Sequence, residues 1–459
     1  MQRVDVAIVG GGPAGSSAAK AAAANGADAV VLEKGVPRAD RQDLGPDSTD
    51  AAGILDYWVD IMGIHPDEMP DGVVLRELDS AEFIGPNESL TLESTGIDSS
   101  YDHFGFTMHR ARFDDFLRDE AEAAGADYRV GTSVRRVETD LDGGHIHHLF
   151  LQDGSDMEAE YLVLADGPQR RVTLGVLDQF LPDDTPAADW LSPATANHIA
   201  YQEHREFPDE LLDPASIKFW WGWMPGETAY PWVFPNDDNV GRVGLTMPIG
   251  LDLDAVPNRE DYRLLDAGDD GVPPGRVYLR RLLEELYGDE YDVDEDFPLV
   301  DDRGKQGGTE TYAISSTRPI DSPTKAGVAV VGGAMGATSA FHEGGDHVAV
   351  RTGRLAGELA ATDDLRRYND AWKDAIGSEV RRNVAMADIV SDYGPADWDR
   401  AISVSRDIIA HREEGGPLLT RKAARSAVGG LKFYTAYKRA KFSLRKGRYT
   451  QLQESTYTL

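Results

Sequence analysis

The chain has 459 residues and a formal net charge of −34, with 80 acidic side chains against 46 basic ones. Its length predicts about two or three domains, and a hydrophobic fraction of 41% is enough to form their cores. Cysteine is absent, which excludes disulfide bonds, thiolate zinc sites and iron–sulfur clusters. No run of about 18 apolar residues occurs, so the sequence predicts no membrane-spanning helix.

The acidic residues are spread along segments with folding patterns and are not gathered in a tail. A strongly charged surface stays soluble at high salt, where its self-repulsion is screened. The composition therefore indicates a salt-rich cytoplasm, for which a halophilic archaeon is the natural host. Because the chain opens directly into an apolar strand, it leaves no room for a signal peptide, and we expect a cytoplasmic protein.

The most informative motif lies at the beginning of the chain. Gly10, Gly12 and Gly15 follow the apolar strand 4–9 with G-x-G-x-x-G spacing. In a dinucleotide-binding turn the first glycine permits the tight turn, the second lets backbone N–H groups approach a pyrophosphate, and the third lets the helix pack on the sheet. Glu33 ends the second strand, where a carboxylate can accept the ribose hydroxyls. The sequence therefore predicts a bound dinucleotide.

Hydrophobic periodicity predicts further elements after this motif. A polar loop over 34–50 is too long for a tight connection, and we expect it to be functional or disordered. The other predicted elements are a helix over 51–62, short strands over 73–108, a helix over 113–124, a strand that contains Val134 and Val137, a hairpin around 142–144, and an apolar strand from 160 that ends in Asp166-Gly167.

A second glycine turn occurs late in the chain. Residues 327–331 read as a strand, 332–336 as a glycine turn and 345–359 as a helix. Small residues and free amides in such a turn can lie beside a ligand, so we expect the cofactor to be held from both ends of the sequence. From Asp363 onward the pattern is helical.

The middle of the chain contains an aromatic strand. Tyr230, Trp232 and Phe234 alternate, so their rings emerge from one face, and Trp220, Trp221 and Trp223 lie just upstream. Such rings often form an ordinary hydrophobic sheet face. Prolines cannot donate to a β-ladder, which favours an edge strand whose rings line a cavity. The prolines in question are Pro225, Pro231 and Pro235.

Together these motifs resemble the geranylgeranyl reductases, FAD enzymes that share the fold of p-hydroxybenzoate hydroxylase. The resemblance extends over about residues 1–375, and its most specific part is the Y-x-W-x-F-P sequence at 230–235. In that family such a strand borders the pocket for a polyprenyl chain. The resemblance therefore implies that the aromatic strand, together with Trp220 and Trp223, binds the substrate.

The resemblance also implies which residues contact FAD. Arg110 stands three residues before Phe113-Asp114, as in the R-x-x-F-D of the family, and Asp166-Gly167 takes the place of the second cofactor motif. The expected FAD contacts, including those of the glycine turns, are Gly10, Gly12, Ala14, Gly15, Glu33, Gly45, Arg110, Val134, Asp166, Gly167, Gly333, Gly336, Gly345 and Asp346.

Three positions depart from the family pattern. Gly333 replaces the aspartate of the family's G-D-A-A-G turn, and the loop at 41–45 lacks the cysteine that family members place near the flavin. Pro225 lies five residues ahead of Tyr230, whereas the family has a proline three residues ahead. These differences indicate a divergent branch whose substrate can differ from that of the phospholipid reductases.

The predicted fold class is α/β, with a discontinuous Rossmann-like FAD-binding domain, an inserted antiparallel-sheet substrate domain and a helical C-terminal region. The expected boundaries are 1–50, 101–175 and 311–360 for the FAD-binding domain, 51–100 and 176–310 for the substrate domain, and 361–459 for the C-terminal region.

The resemblance implies an enzyme that saturates C=C double bonds of a polyprenyl lipid, either dolichol phosphate or the geranylgeranyl chains of archaeal phospholipids. Such a double bond has no carbonyl to polarise, so its reduction needs a hydride from flavin N5 and a proton from a nearby acid or water. The candidate proton donors are His342, Glu343 and Tyr230, although a histidine in this position is often a capping or core residue. A nicotinamide, a ferredoxin or a deazaflavin could supply the electrons.

Two alternatives share part of this pattern. A flavin monooxygenase of an aromatic substrate has the same fold. A membrane-associated isoprenoid-binding module without flavin is a candidate of a different class, because the aspartate expected at Gly333 is missing.

The C-terminal tail has the opposite charge to the rest of the chain. Residues 421–453 contain ten basic side chains and no acidic one. A helix over this tail would carry an apolar stripe edged by cations, formed by Phe433, Tyr437, Ala440 and Leu444. Such a helix predicts binding to the anionic inner face of the cell membrane. The alternative is that the tail docks onto the protein's own acidic surface. Nucleic acid is not expected as a partner, because no binding fold accompanies the charge.

Overall fold

The computed structural model describes residues 2–36, 53–304, 306–414 and 433–459, with the backbone alone for 411–414. Gly45, most of the loop predicted at 34–50 and the first part of the basic tail lie outside these residues.

The strands are, in chain order, β1 (Gln2–Val9), β2 (Ala29–Leu32), β3 (Gly53–Leu55), β4 (Val74–Leu78), β5 (Ser80–Ile84), β6 (Ser89–Leu92), β7 (Gly105–Met108), β8 (Asp127–Arg129), β9 (Val134–Asp140), β10 (Ile146–Leu151), β11 (Asp156–Leu164), β12 (His198–Glu206), β13 (Ser216–Trp220), β14 (Tyr230–Pro235), β15 (Val240–Pro248), β16 (Thr309–Ile314) and β17 (Val328–Val330). The helices are α1 (Pro13–Ala24), α2 (Asp56–Met62), α3 (Arg110–Ala123), α4 (Thr173–Asp178), α5 (Ala187–Trp190), α6 (Gly275–Tyr287), α7 (Val293–Asp296), α8 (Gly332–Met335), α9 (Asp346–Ala361), α10 (Tyr368–Val390), α11 (Pro395–Glu414) and α12 (433–443).

The first sheet has the parallel core of a nucleotide-binding domain. Its strands are ordered β8-β2-β1-β11-β10-β9, and β17 pairs with the second half of β11. Strands β8, β2, β1, β11 and β17 run parallel, and most of their side chains are apolar and buried. The predicted strand at 4–9, the hairpin at 142–144 and the strand before Asp166 are confirmed, and so is the α/β class.

Helices α1 and α9 pack against each other over this sheet through small residues. A Cβ placed on Gly353 would overlap the carbonyl oxygen of Ala14, and one on Gly357 would overlap that of Ala18. The two glycines therefore allow direct backbone contact between the helices. This contact holds the first half of α9 beside the turn between β1 and α1.

The second sheet lies in the inserted region and has the order β16-β12-β15-β14-β13-β5-β6. One face packs against α6, with Val233 and Leu279 in the same buried cluster. The opposite face carries Tyr230, Trp232 and Phe234, as the alternation along the strand predicts. The sheet therefore separates a closed core from an aromatic surface.

The predicted edge position of the aromatic strand is wrong. Strand β14 lies between β13 and β15, and all of its residues are buried. Strand β13 pairs with β14 only at Trp232 and Val233. Pro231 and Pro235 lie outside that short ladder, so neither needs a backbone N–H to donate to β13. A central strand can therefore contain both prolines.

Two predicted domain boundaries and two helix starts need correction. The small third sheet has the order β3-β7-β4 and crosses the expected boundary at residue 100. Strand β7 lies after that boundary, whereas both of its partners, β3 and β4, lie before it. Strand β16 keeps residues 311–314 in the second sheet, although the expected boundary assigns them to the FAD-binding domain. Helices α2 and α3 begin at Asp56 and Arg110, not at 51 and 113.

The C-terminal segment packs onto the first domain. Leu444 is 3% exposed and belongs to the cluster of the first sheet, and Tyr437 and Ala440 pack against that cluster. Further along, the N–H of Gln451 donates to the carbonyl oxygen of Pro319 at 2.9 Å. The stripe predicted to face a membrane therefore faces the protein, because its apolar side chains find a buried surface within the chain. In the part of the chain that the structure describes, no helix combines the length and apolar character needed to cross a bilayer.

We expect Gly353→Ala to lower the free energy of unfolding by about 1–3 kcal/mol, the usual effect of extra volume in a closely packed contact. Urea unfolding followed by circular dichroism at constant high salt measures this change. Gly175→Ala in α4 is the matched control, because a Cβ there meets nothing within 4 Å. Equal stability of Gly353→Ala and the wild type would contradict the close contact of α1 and α9.

Candidate active site

The glycine turn after β1 is a cradle shaped by the absence of side chains. Gly10 has a φ of +101°, and a Cβ there would overlap the carbonyl oxygen of Ala165 at the end of β11. A Cβ on Gly15 would overlap the carbonyl oxygen of Gly10. A Cβ on Gly12, in contrast, would meet nothing within 4 Å. The fold itself therefore requires the outer two glycines, whereas the middle one leaves space for a ligand.

Three other expected FAD contacts lie at the edge of the sheet next to this turn. The carboxylate of Glu33 accepts a hydrogen bond from the N–H of Gly11 at 2.6 Å. Ala14 lies in the first turn of α1. The N–H of Thr132, two residues before Val134, donates to the carbonyl oxygen of Glu33 at 2.8 Å. The structure thus brings Ala14, Glu33 and the segment that leads into Val134 close to the glycine turn after β1.

Asp166 organises the loop that follows β11. Its carboxylate accepts hydrogen bonds from the N–H groups of Val172 at 2.6 Å and Thr173 at 3.1 Å. Gly167, the next residue, has a φ of +74°, which favours glycine. The Asp-Gly pair therefore fixes a loop whose first residues lie beside the glycine turn of β1.

The glycine at 333 has a steric explanation. A Cβ there would lie 3.3 Å from Cδ of Pro168, in the loop after β11. A Cβ on Gly336 would lie 2.8 Å from a guanidinium nitrogen of Arg170. Arg170 is fully buried and donates to the carbonyl oxygen of Ala334 at 2.7 Å, and burial lowers its pKa to about 10. The two glycine-rich loops approach so closely that an aspartate at 333 would force Pro168 to move.

Two expected FAD contacts from distant parts of the chain meet at the start of α9. Nη1 of Arg110 lies 3.2 Å from Oδ1 of Asp346. Nε of Arg110 donates to Asp114 at 2.8 Å, which orients the guanidinium along α3. Gly345 precedes Asp346, and a Cβ there would lie 3.1 Å from Oγ1 of Thr338. The ion pair therefore ties the first turn of α9 to α3.

An aromatic cavity with a volume of about 420 Å³ reaches from the aromatic sheet to the start of α9. Phe219, Tyr230, Trp232 and Phe234 line it from the sheet, and residues 342–346 line it from the loop before α9. Most of the other lining side chains are apolar. The cavity therefore connects the strand expected to bind substrate with the segment expected to bind the flavin ring.

The two tryptophans expected to bind substrate lie elsewhere. Trp220 and Trp223 are buried on the α6 side of the sheet, where Nε1 of Trp223 donates to the carbonyl oxygen of Gly85 at 3.0 Å. Trp221, between them, lines the cavity instead and stacks on Tyr230 with ring centroids 4.3 Å apart. Alternation along β13 explains why Trp220 and Trp221 face opposite sides of the sheet, whereas Trp223 lies beyond the end of that strand.

The three candidate proton donors meet at the cavity wall. The hydroxyl of Tyr230 donates to the carbonyl oxygen of His342 at 2.9 Å, and Nδ1 of His342 accepts from the N–H of Gly344 at 3.2 Å. Burial lowers the pKa of His342 to about 3 and raises the pKa of Tyr230 well above its ordinary value. Near neutral pH the imidazole is therefore uncharged and the phenol keeps its proton, which leaves Glu343 as the acid of the three.

Glu343 is a buried carboxyl group with a side chain only 3% exposed. Thr246 donates a hydrogen bond to one of its oxygens, Thr228 donates to the other at 3.2 Å, and Nε2 of His198 lies 3.4 Å away. Burial raises the pKa of Glu343, and these neighbours offset the effect only in part. The group therefore stays a neutral carboxylic acid to a higher pH than an exposed glutamate does.

No sequence motif identifies the three neighbours of Glu343. Thr228, Thr246 and His198 are about 100 or more residues away along the chain and belong to no motif. The one available signal is the register of the antiparallel ladder, in which Thr246 on β15 pairs with Tyr230 on β14. That register is defined only once the order of the strands is known.

Comparisons with known proteins agree with this geometry. The tryptophan halogenase family model matches residues 77–217. Digeranylgeranylglycerophospholipid reductase 3 of Methanosphaera stadtmanae is 24% identical over 88% of this chain and 91% of its own length. Digeranylgeranylglycerophospholipid reductase 1 of Methanopyrus kandleri is 28% identical over 83% of this chain and 89% of its own length.

Solved structures show the same fold. A geranylgeranyl bacteriochlorophyll reductase-like protein of Thermoplasma acidophilum superposes with a TM-score of 0.68 at 19% identity, over 97% of this chain and 99% of the other. The myxobacterial chondrochloren halogenase, an FAD-dependent enzyme, superposes with a TM-score of 0.58 at 19% identity, over 98% of this chain and its full length. The resemblance to the geranylgeranyl reductases is thereby confirmed: over more than 80% of its length the chain is similar to proteins named digeranylgeranylglycerophospholipid reductase.

Proposed function

We propose that this protein is an FAD-dependent reductase that saturates C=C double bonds in the geranylgeranyl chains of archaeal phospholipids. The observation that carries the proposal is the aromatic cavity of about 420 Å³, which runs from β14 to the loop before α9. The relatives that match most of the chain are named as reductases of such phospholipids. Dolichol phosphate presents the same type of chain and is the second candidate substrate.

FAD fits the residues of the first domain. The open space at Gly12 suits a pyrophosphate against the backbone, and Glu33 lies where it can accept ribose hydroxyls. The turn around Gly333 would close over the cofactor, and Arg110 with Asp346 would hold its ring end at the start of α9. When bound there, FAD supplies the hydride for the reduction.

The aromatic wall of the cavity orients a flexible chain. Phe219 meets Tyr230 and Phe234 edge to face, with ring centroids 5.7 Å and 5.4 Å away, so the wall is rigid. Such a wall excludes water and fixes a double bond at one distance from the loop at 342–346. Holding two reactants at near-attack distance can lower a barrier by about 7–11 kcal/mol.

Glu343 is the proton donor in this proposal. Its carboxyl group lines the cavity and is buried, and burial raises its pKa, so it holds a proton to a higher pH than an exposed glutamate does. After the O–H bond breaks, the hydroxyls of Thr228 and Thr246 stabilise the carboxylate that remains.

The comparisons do not favour the two alternatives. A monooxygenase shares the fold, but the relatives that match most of this chain are named as reductases. The missing aspartate at 333 favours a module without flavin, but the close approach of Pro168, 3.3 Å from a Cβ placed at 333, favours a small residue at that position independently of the cofactor.

We further propose that α12 contacts an anionic membrane through its exposed face. Tyr434 and Phe442 are 54% and 64% exposed, and Lys438 and Arg445 lie over their rings at 5.1 Å and 4.5 Å from the centroids. Aromatic rings edged by cations suit the interface of an anionic bilayer. At molar salt the Debye length falls to about 3 Å, so the rings supply much of the binding.

Gly12→Val tests the cofactor. The variant is expected to fold normally, because φ at Gly12 is −71° and a Cβ there meets nothing within 4 Å. We expect it to bind FAD at least about tenfold more weakly, since the new side chain occupies the space of the pyrophosphate. Titration by quenching of FAD fluorescence measures this, with Gly175→Ala as the control. Absence of FAD uptake by the wild type would support the module without flavin.

Phe219→Ala tests the cavity. Full burial of a phenylalanine side chain is worth about 1.5–3 kcal/mol, so we expect the KM for a geranylgeranyl phospholipid to rise about tenfold or more. Mass spectrometry of the lipid counts the double bonds lost, and dolichol phosphate offered in parallel separates the two candidate substrates. Val233→Ala, on the α6 face of the same sheet, should leave KM unchanged. Failure of the wild type to saturate either lipid would contradict the proposed function.

The double variant Tyr434→Ser/Phe442→Ser tests the membrane surface. We expect it to bind vesicles of anionic lipid about tenfold more weakly than the wild type in molar KCl. Point substitutions are needed because a deletion of the tail would remove Leu444 and Leu452 from the core. Leu141→Ser, at a 44% exposed position in the β9–β10 hairpin, is the control. Equal co-sedimentation of the double variant and the wild type would refute this surface.

A further inference from the structure

A second cavity, of about 570 Å³, shares none of the lining residues of the first. Its lining is largely polar and includes His198, Thr228 and Ser316. It reaches solvent, because Trp190 and Glu227 in its wall are exposed. Water can therefore enter this cavity without passing through the aromatic one.

Glu343 lies between the two cavities. One carboxyl oxygen accepts from Thr246, whose side chain lines the aromatic cavity. The other accepts at 3.2 Å from Thr228, whose side chain lines the polar cavity. The two threonines are chemically equivalent partners of one carboxyl group, and they differ in the cavity that they face.

The hydrogen bonds around His198 set the direction of the Thr228 hydroxyl. The N–H of Ser316 donates to Oδ1 of Asn197 at 2.8 Å, so the amide nitrogen of Asn197 faces Nδ1 of His198 at 2.7 Å and donates to it. The imidazole therefore carries its proton on Nε2, which donates to the carbonyl oxygen of Glu227 at 2.9 Å. Nε2 also lies 3.4 Å from Oγ1 of Thr228, so that hydroxyl accepts there and directs its own proton to Glu343.

The backbone supports this arrangement with two strained residues. Thr228 has a φ of +51° and Glu343 a φ of +57°, in a region that non-glycine residues rarely adopt, least of all a β-branched one. Each such residue costs on the order of 1–3 kcal/mol and persists where the surrounding structure holds it. Both partners of the 3.2 Å hydrogen bond are thus held in place at a cost to stability.

We propose that Thr228 passes protons from the polar cavity to Glu343, which delivers them to the alkene in the aromatic cavity. The inference rests on the proposed function and adds the route by which the acid is recharged. In the first step the π bond of the alkene breaks and two C–H bonds form. One forms with the proton of Glu343, whose O–H electron pair stays on the carboxylate, and the other with a hydride that reduced flavin would supply with its two electrons. In the second step Oγ1 of Thr228 accepts a proton from a water of the polar cavity, which returns to solvent as hydroxide, and the O–H proton of Thr228 passes to the carboxylate of Glu343. One solvent proton is consumed for each double bond.

Thr228→Val tests the relay, because valine keeps the shape of threonine and removes the hydroxyl. FAD-loaded protein, reduced anaerobically with excess dithionite, is mixed with a geranylgeranyl phospholipid at pH 7. Enzyme in which Glu343 starts out protonated should reduce its first double bond at the wild-type rate, because the relay acts only after that proton has been used. Later turnovers should slow about tenfold or more, which gives a burst of at most one saturated bond per active site. Thr228→Ser keeps the hydroxyl and should restore continuous turnover.

Thr246→Val is the matched control, since it removes a hydrogen bond from the same carboxyl group without touching the polar cavity. It should slow every turnover to the same extent and show no burst, because Thr246 stabilises the carboxylate of Glu343 but does not recharge it, whereas Thr228→Val should enlarge the solvent isotope effect of the later turnovers. In both variants the pH dependence of the rate reflects Glu343 together with the titratable groups that face it, which are His198, Glu227 and Tyr230.

Continuous turnover by Thr228→Val at the wild-type rate would overturn the relay, as would an equal burst in both variants. Should Thr228→Val fail to fold, as judged by circular dichroism and FAD content, Thr228→Ala is put through the same burst measurement. A wild-type protein that saturates no double bond would instead refute the proposed function, so the two failures are distinguishable.

Discussion

The backbone contact between α1 and α9 is the constraint on which the rest of the structure depends. Gly353 and Gly357 have no side chains, so α9 lies directly on the carbonyl groups of Ala14 and Ala18. The contact joins segments that lie more than 300 residues apart in the sequence. It holds α9, and with it the loop at 342–346 that precedes it, against the helix that follows the first glycine turn.

The site forms where this fixed loop meets the aromatic sheet. The sheet supplies an aromatic wall, and the loop supplies the buried acid Glu343, which accepts hydrogen bonds from Thr228 and Thr246. An apolar cavity is suited to a hydrocarbon chain, and it also raises the pKa of the acid that it borders. One physical property, the burial of apolar surface, therefore both suits the cavity to a hydrocarbon chain and shifts the pKa of its acid upward.

The departures from the family pattern are linked to each other by packing. Gly333 is small because Pro168 approaches it, and Arg170 holds the same turn through the carbonyl oxygen of Ala334. A side chain at 333 would require Pro168 to shift by a few tenths of an ångström, so the close approach of the two loops favours a small residue there.

The sequence by itself determined the α/β class, the dinucleotide turn and the shared face of Tyr230, Trp232 and Phe234, because these follow from local spacing and strand alternation. Only the tertiary structure decided what covers each face. It placed β14 in the centre of its sheet and Trp221 at the cavity, and it turned the stripe of α12 toward the core. Periodicity shows which residues lie together on a face, whereas the partner of that face is chosen by packing between distant segments.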